Sequence, residues 1–155
     1  MSVKADAETL RTIPIFEGCD TVHLQVLAFA SERQQFPPGE TLIAQGQPGA
    51  SCFLILNGEA DLMTEEDPAI GSAGPGALLG EVATIGGVPY SVTAKARTAL
   101  TAAKISRSLF MRVADEYPEF GKAVFKALGG KLDEAMSDLK SAQLLLDRAK
   151  SFSSL

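Results

Sequence analysis

The chain has no tryptophan, one histidine and two cysteines among its 155 residues. Each shortage closes off a class of chemistry. A metal-dependent β-barrel enzyme needs several imidazoles, or imidazoles with carboxylates, around its ion. His23 stands alone, so no metal site is expected. No Ser-His-Asp or Cys-His set can be assembled around one histidine in a helical stretch, and no enzymatic activity is expected. Cys19 and Cys52 match no metal-ligand spacing, and as free thiols they fit a reducing, cytoplasmic compartment. No run of about 18 apolar residues occurs, so no membrane span is expected. Ser2, Lys4 and Asp6 follow Met1 without the apolar run of a signal peptide. Positive charge is also short: 14 Lys+Arg against 19 Asp+Glu leave a net charge of −5. An acidic surface repels phosphate backbones, which argues against nucleic acid as a partner.

What remains has the composition of a globular domain, 46% hydrophobic and 21% charged. A chain of this length forms one domain and buries roughly two-thirds of the surface its unfolded form exposes. Three textures follow one another. Residues 1–32 read as helical, with Asp20 as N-cap of a helix from Thr21 to Ser31 and a break at Ile13-Pro14. Residues 33–105 are punctuated by Pro37-Pro38-Gly39, Gly46-Gln47-Pro48-Gly49, Asn57-Gly58, Asp67-Pro68, Gly74-Pro75-Gly76 and Gly86-Gly87. Short strands between such turns predict a sandwich or jelly roll. Cys52 to Leu56 and Glu59 to Met63 read as a hairpin around a type I′ Asn57-Gly58 turn. Ser91 to Ala96 and Thr101 to Ile105 read as two further strands.

Residues 106–150 return to helix. Ser106 or Ser108 caps a helix through Tyr117, and Pro118 opens a second. Leu128, Leu132, Ala135, Leu139, Ala142, Leu146 and Ala149 then alternate in steps of four and three, an a/d seam. A strict 3.5 period favours a partner helix, so a homodimer through this helix is expected. The alternative is that the seam packs on the chain's own sheets. Gly129-Gly130 weakens the helix between its parts, and residues 151–155 read as a frayed tail. The expected class is therefore α+β, mainly β: a double-stranded β-helix, or jelly roll, with N-terminal helices and two C-terminal helices.

Two glycine-rich fragments invite a phosphate-loop reading and fail it. Gly74 to Gly80 lacks the lysine and the strand-loop-helix context, and Gly129-Gly130-Lys131-Leu132 lacks the upstream glycine and the following hydroxyl. The segment 80–93 is different. Gly80 permits close backbone approach. The Glu81 carboxylate can accept hydrogen bonds from sugar hydroxyls. The amides of Val82 and Ala83 would lie at a helix N-terminus, where anions are favoured. Gly86-Gly87-Val88-Pro89 then turns the chain back, so that Tyr90 and Ser91 return beside those amides. From the residues alone, a strand-turn-strand with one surface glutamate is the simpler reading.

The run Gly80-Glu81-Val82-Ala83-Thr84-Ile85-Gly86-Gly87-Val88-Pro89-Tyr90-Ser91-Val92-Thr93 resembles the phosphate-binding cassette of cyclic-nucleotide-binding domains. This is the family of catabolite activator protein and of protein kinase A regulatory subunits. Its pattern is Gly-Glu-Leu-Ala-Leu, a short turn, then Pro-Arg-Ala-Ala-Thr. Upstream, Phe36-Pro37-Pro38-Gly39-Glu40-Thr41-Leu42-Ile43, Gln45-Gly46, Pro48-Gly49, Phe53 to Leu56 and Gly58 are similar to the family's glycine-spaced β-roll. Downstream, Ile105-Ser106 and Tyr117-Pro118-Glu119 resemble the start of its C-terminal helices.

The resemblance implies a cAMP or cGMP site built from Gly80, Glu81, Val82, Ala83, Tyr90, Ser91 and Thr93. Glu81 would hold the ribose 2′-hydroxyl, the Val82 and Ala83 amides the cyclic phosphate, and Ser91 would add a donor. Tyr90 departs from the pattern, because it stands where the family has a phosphate-pairing arginine. A phenol brings one neutral donor in place of a charged fork. Lys95 and Arg97 are the nearest other cations along the chain. A second departure is at Ala135 and Met136, near which family members carry polar side chains that meet the purine. The winged helix of DNA-binding relatives is not expected in this chain. Two functions stay open. One is a ligand-sensing regulatory module that signals through its C-terminal helices. The other is a degenerate domain kept for dimerisation or protein interaction.

Overall fold

The structure, a computed structural model, describes residues 3–129. Its architecture follows from one strand that is apolar on both faces. In β3 (Ser51–Asn57) the first five residues are all buried. Phe53 and Ile55 face one core, Cys52 and Leu54 another. A strand covered on both sides shows a continuous apolar run instead of alternation. β3 therefore lies in the middle layer, with a second sheet on one face and helices on the other.

The first sheet runs β1 (Glu32–Phe36), β8 (Leu100–Ser106), β3, β6 (Leu78–Leu79). The second runs β2 (Thr41–Ile43), β7 (Thr93–Ala96), β4 (Ala60–Met63), β5 (Gly71–Ala73). All pairings are antiparallel. The two sheets enclose Phe36, Leu42, Ile43, Phe53, Ile55, Ala60, Ala94 and Ala102. This is the jelly roll expected from the turn spacing.

The Asn57-Gly58 turn is not the hairpin its residues suggest. β3 pairs with β6 and β8, whereas β4 pairs with β5 and β7. The turn carries the chain from one sheet to the other. Only Gly58 has positive φ there, and no non-glycine residue among those described does. A type I′ turn needs positive φ at both central positions. Glycine is required at 58 for contact as well: a Cβ would fall 2.3 Å from the Ala99 carbonyl oxygen.

Helices α1 (Val3–Arg11), α2 (Thr21–Ala30) and α4 (Arg107–Glu116), the 3-10 turn Pro14–Phe16 and the helical residues 118–129 pack on the back of the first sheet. Asp20 accepts from the Val22 amide and Ser106 from the Leu109 amide, so both helix starts are capped. Phe120 stacks on Phe16 at 6.3 Å and against Phe110 at 5.6 Å. His23 lies on the Tyr117 ring at 4.7 Å, a packing role. Asp6, nearly buried, pairs with Arg33 at 2.9 Å and ties α1 to β1. No described helix is long and apolar enough to cross a membrane.

The seam meets a correction at its first member. Leu128 is 2% exposed and sits with Phe120 and Val124 in the core under the first sheet. It follows those two residues at four-residue steps, so it continues their inward stripe and is not open to a partner helix. Leu132, Ala135, Leu139, Ala142, Leu146 and Ala149 lie outside the described residues, as does the tail 151–155.

Phe120 joins the helices to the sheet, and Phe120→Ala should lower stability by about 3–5 kcal/mol. Urea denaturation measures this; a loss below about 1 kcal/mol would contradict the placement.

Candidate functional site

The cassette starts where β6 ends. Gly80 has φ +84, a left-handed backbone that favours glycine. Space demands glycine too, since a Cβ there would lie 2.8 Å from Cε1 of Tyr90. This bend launches α3 (Glu81–Gly86), and no side chain caps its N-terminus. Gly87, at φ +70, ends it by donating to the Ala83 carbonyl at 2.9 Å. Val88 donates to the same carbonyl at 3.1 Å. Pro89 bridges Pro48, the Tyr90 amide donates to the Gln47 carbonyl at 2.9 Å, and Gly46 donates to the Tyr90 carbonyl at 2.9 Å. The returning chain is thereby clipped to the 46–48 loop. Gly49 in turn lies directly on α3: a Cβ would fall 2.4 Å from the Ala83 carbonyl carbon.

The residues named from the sequence separate into three groups. Gly80, Glu81, Val82 and Ala83 come together at the start of α3. Tyr90 lies behind them in the inner core, 8% exposed, beside Leu79 and Ala83. Ser91 is exposed, and Thr93 bonds away from the cassette, its hydroxyl accepting from the Gln45 amide at 2.9 Å.

Tyr90 is the decisive side chain. Its hydroxyl accepts from the Ser51 amide at 3.1 Å and donates to the Ser51 carbonyl. A buried phenol needs such partners, and Tyr90 has both kinds. Its ring lies against Gly80, inside the bend of the cassette. No cation takes over the missing charge from the next strand. Lys95 is exposed between the buried Ala94 and Ala96, so it points out of the roll. Arg97 is held outside by Glu59 and Asp61, each at 3.1 Å.

Glu81 is half-buried and engaged in contacts of its own. Its charge reaches the fully buried Cys52, whose thiol is pushed up to about 12, first by desolvation and then by Glu81.

One residue that the sequence reading missed joins the cassette to the helices. Arg107 Nη1 donates to the Thr84 carbonyl at 2.6 Å and to the Ile85 carbonyl at 3.2 Å. These are end carbonyls of α3, which its short length leaves without helical partners. The guanidinium covers Gly87, where a Cβ would be 3.1 Å from Nη1. The Arg107 amide donates to the Ala50 carbonyl at 2.9 Å. Arginine at the first position of a helix opposes the macrodipole of α4. That mismatch was the available signal. The same cation is favourable at the C-terminal end of α3.

Arg107→Ala should therefore lower stability by about 1.5–3 kcal/mol. It should also speed amide exchange at Gly87 and Val88, measured by hydrogen exchange; unchanged exchange there would refute the clamp. A second expectation concerns alkaline pH. The folded state holds the Cys52 thiol above its ordinary value of 9.0, toward about 12. The contribution is fully present below pH 9.0 and declines as pH rises toward about 12, because the unfolded chain ionises first. Denaturant midpoints followed from pH 8 upward should fall more steeply for the native chain than for Cys52→Ala; parallel curves would contradict it.

The comparisons agree with this fold. The family pattern described as cyclic nucleotide-binding domain matches residues 33–117. A cyclic nucleotide-binding-like protein of Brucella abortus is 32% identical, with a TM-score of 0.65 over 72% of this chain and 98% of that one. The N-terminal domain of a transcriptional regulator from Streptomyces coelicolor has a TM-score of 0.72 at 21% identity, over 84% of this chain and 93% of its own. The second likeness speaks for the fold alone. With the family pattern running from β1 through α4, and a relative covered almost end to end, the chain belongs to the cyclic nucleotide-binding domain family.

Proposed function

We propose that this chain is a non-enzymatic regulatory module whose cassette is closed by its own Tyr90. In this reading it does not clamp a cyclic nucleotide in the manner the resemblance implies, and it acts through the helices after β8. The observation that carries the reading is the Tyr90 ring in the bend of Gly80, with its hydroxyl engaged on both sides by Ser51. Loss of a bidentate charged contact to phosphate weakens binding by about 2–3 kcal/mol, one to two decades. A ligand must in addition displace a ring that is 8% exposed and fully hydrogen-bonded.

Output follows from Arg107. A change in the cassette moves the carbonyls that Arg107 holds, and Arg107 is the first residue of α4. Any effector must favour one arrangement of these elements over another, or it shifts nothing. A second copy of the chain is the proposed partner, through the seam from Leu132 to Ala149.

A second reading keeps nucleotide binding. Glu81, the first residue of α3, favours it, because the resemblance gives that position the ribose 2′-hydroxyl. In that reading Tyr90 leaves Ser51 when cAMP or cGMP enters.

Thermal melting with millimolar cAMP and cGMP separates the two. The native chain should show no shift, and Tyr90→Arg should gain one. Ligand at ~100 times its dissociation constant adds about 2.7 kcal/mol, which a melt detects readily. A shift of the native chain with either nucleotide would overturn the closed-cassette reading in favour of the second.

A further inference from the structure

At one end of the first sheet β8 runs straight into α4 after Ser106. Glu32, Lys104, Ser51 and Ser106 belong to the face of that sheet that also carries Phe36, Phe53 and Ala102. Register sets Glu32 opposite Lys104 and Ser51 opposite Ser106. No residue of the second sheet lines this end. Leu109 and Arg112 of α4 face it instead, and the space between is a cleft of about 450 Å³. That volume is within the range of small-molecule sites.

The lining has a definite chemical character. Lys104 and Arg112 come from different elements and converge on one hollow. The ion pairs among the described residues are Asp6–Arg33 and Arg97 with Glu59 and Asp61, so neither cleft cation is neutralised by one. Lys104 and Glu32 are opposite in register and still form no ion pair. The Ser106 hydroxyl accepts from the Leu109 amide at 3.1 Å and keeps its own proton to donate. Ser51, 6% exposed, has its main chain engaged by Tyr90 and its side chain on the cleft. Two cations and two hydroxyl donors thus share the cleft with one carboxylate acceptor.

We propose that this cleft binds a small phosphate monoester whose organic part carries hydroxyl groups. Three terminal oxygens can meet Lys104, Arg112 and the two serine hydroxyls at once, whereas a carboxylate offers two. Glu32 accepts from a hydroxyl of the organic part and disfavours ligands without a donor. The cleft shares no residue with the 80–93 cassette and meets it through Ser51, whose main chain bonds Tyr90.

The test is a titration of the full chain with glycerol 1-phosphate at constant ionic strength, followed by amide chemical shifts. Saturable shifts are expected at Ser51, Lys104, Ser106 and Leu109, with none at Val82 or Ala83. Lys104→Met and Arg112→Met should each weaken binding about tenfold. Arg112 is exposed, so its replacement leaves the fold intact. The absence of saturation up to ~10 mM, equal shifts with sodium chloride, shifts confined to the cassette, or unchanged affinity in Arg112→Met would each overturn the proposal.

Discussion

The hydroxyl of Tyr90 on the main chain of Ser51 is the contact around which the cassette is arranged. It joins the returning chain after α3 to the first residue of β3. Because the ring then occupies the bend, residue 80 has no room for a side chain. Because the same stretch is clipped to Gln47 and Gly46, the 46–49 loop is drawn over α3 and residue 49 also has no room for one. Gly80, which the resemblance places in the ligand site, here serves close approach of protein to protein, as Gly49 does. A phenol is suited to that place. It fills apolar volume with its ring and satisfies a strand-end amide and carbonyl with its tip.

Arg107 ties the cassette to the helices. Arg107 begins α4, and its guanidinium ends α3. The unfavourable position at one helix terminus is offset by a favourable one at the other. α4 then rests on Phe110 and Val113, which share a core with Phe120, Val124 and Leu128. In the proposed function a displacement of α3 passes to these packed aromatic rings, which tolerate few alternative arrangements. This connection does not depend on what moves α3. A nucleotide, another ligand or a partner chain would act through the same residues.

The fold was legible because its turn residues are placed by local geometry. Gly39, Gly46, Gly58, Gly76 and Gly87 all have positive φ, and each marks a turn that the sequence already displays. Pairing was less legible. Asn57-Gly58 produces the same local signal whether the next strand lies beside β3 or crosses to the other sheet, and the crossing is decided by distant partners. The departure at Tyr90 was visible as a residue type, but its direction was not. That direction depends on Ser51, 39 residues earlier. Arg107 reaches carbonyls 22 and 23 residues away, and main-chain carbonyls carry no sequence signature. The seam runs unbroken in the sequence because a 3.5 period does not reveal which helical face meets the core. Leu128 is counted in that seam and in the inward stripe of Phe120 and Val124 alike.

The central claim is that the Tyr90 ring occupies the cassette in place of a ligand. The nuclear Overhauser contact between the Tyr90 ring protons and the Gly80 α-protons reports on it directly, with and without millimolar cAMP. A strong contact, unchanged by the nucleotide, is the predicted result. Loss of that contact on adding cAMP would contradict the account, because it would place the ring outside a site the nucleotide has entered.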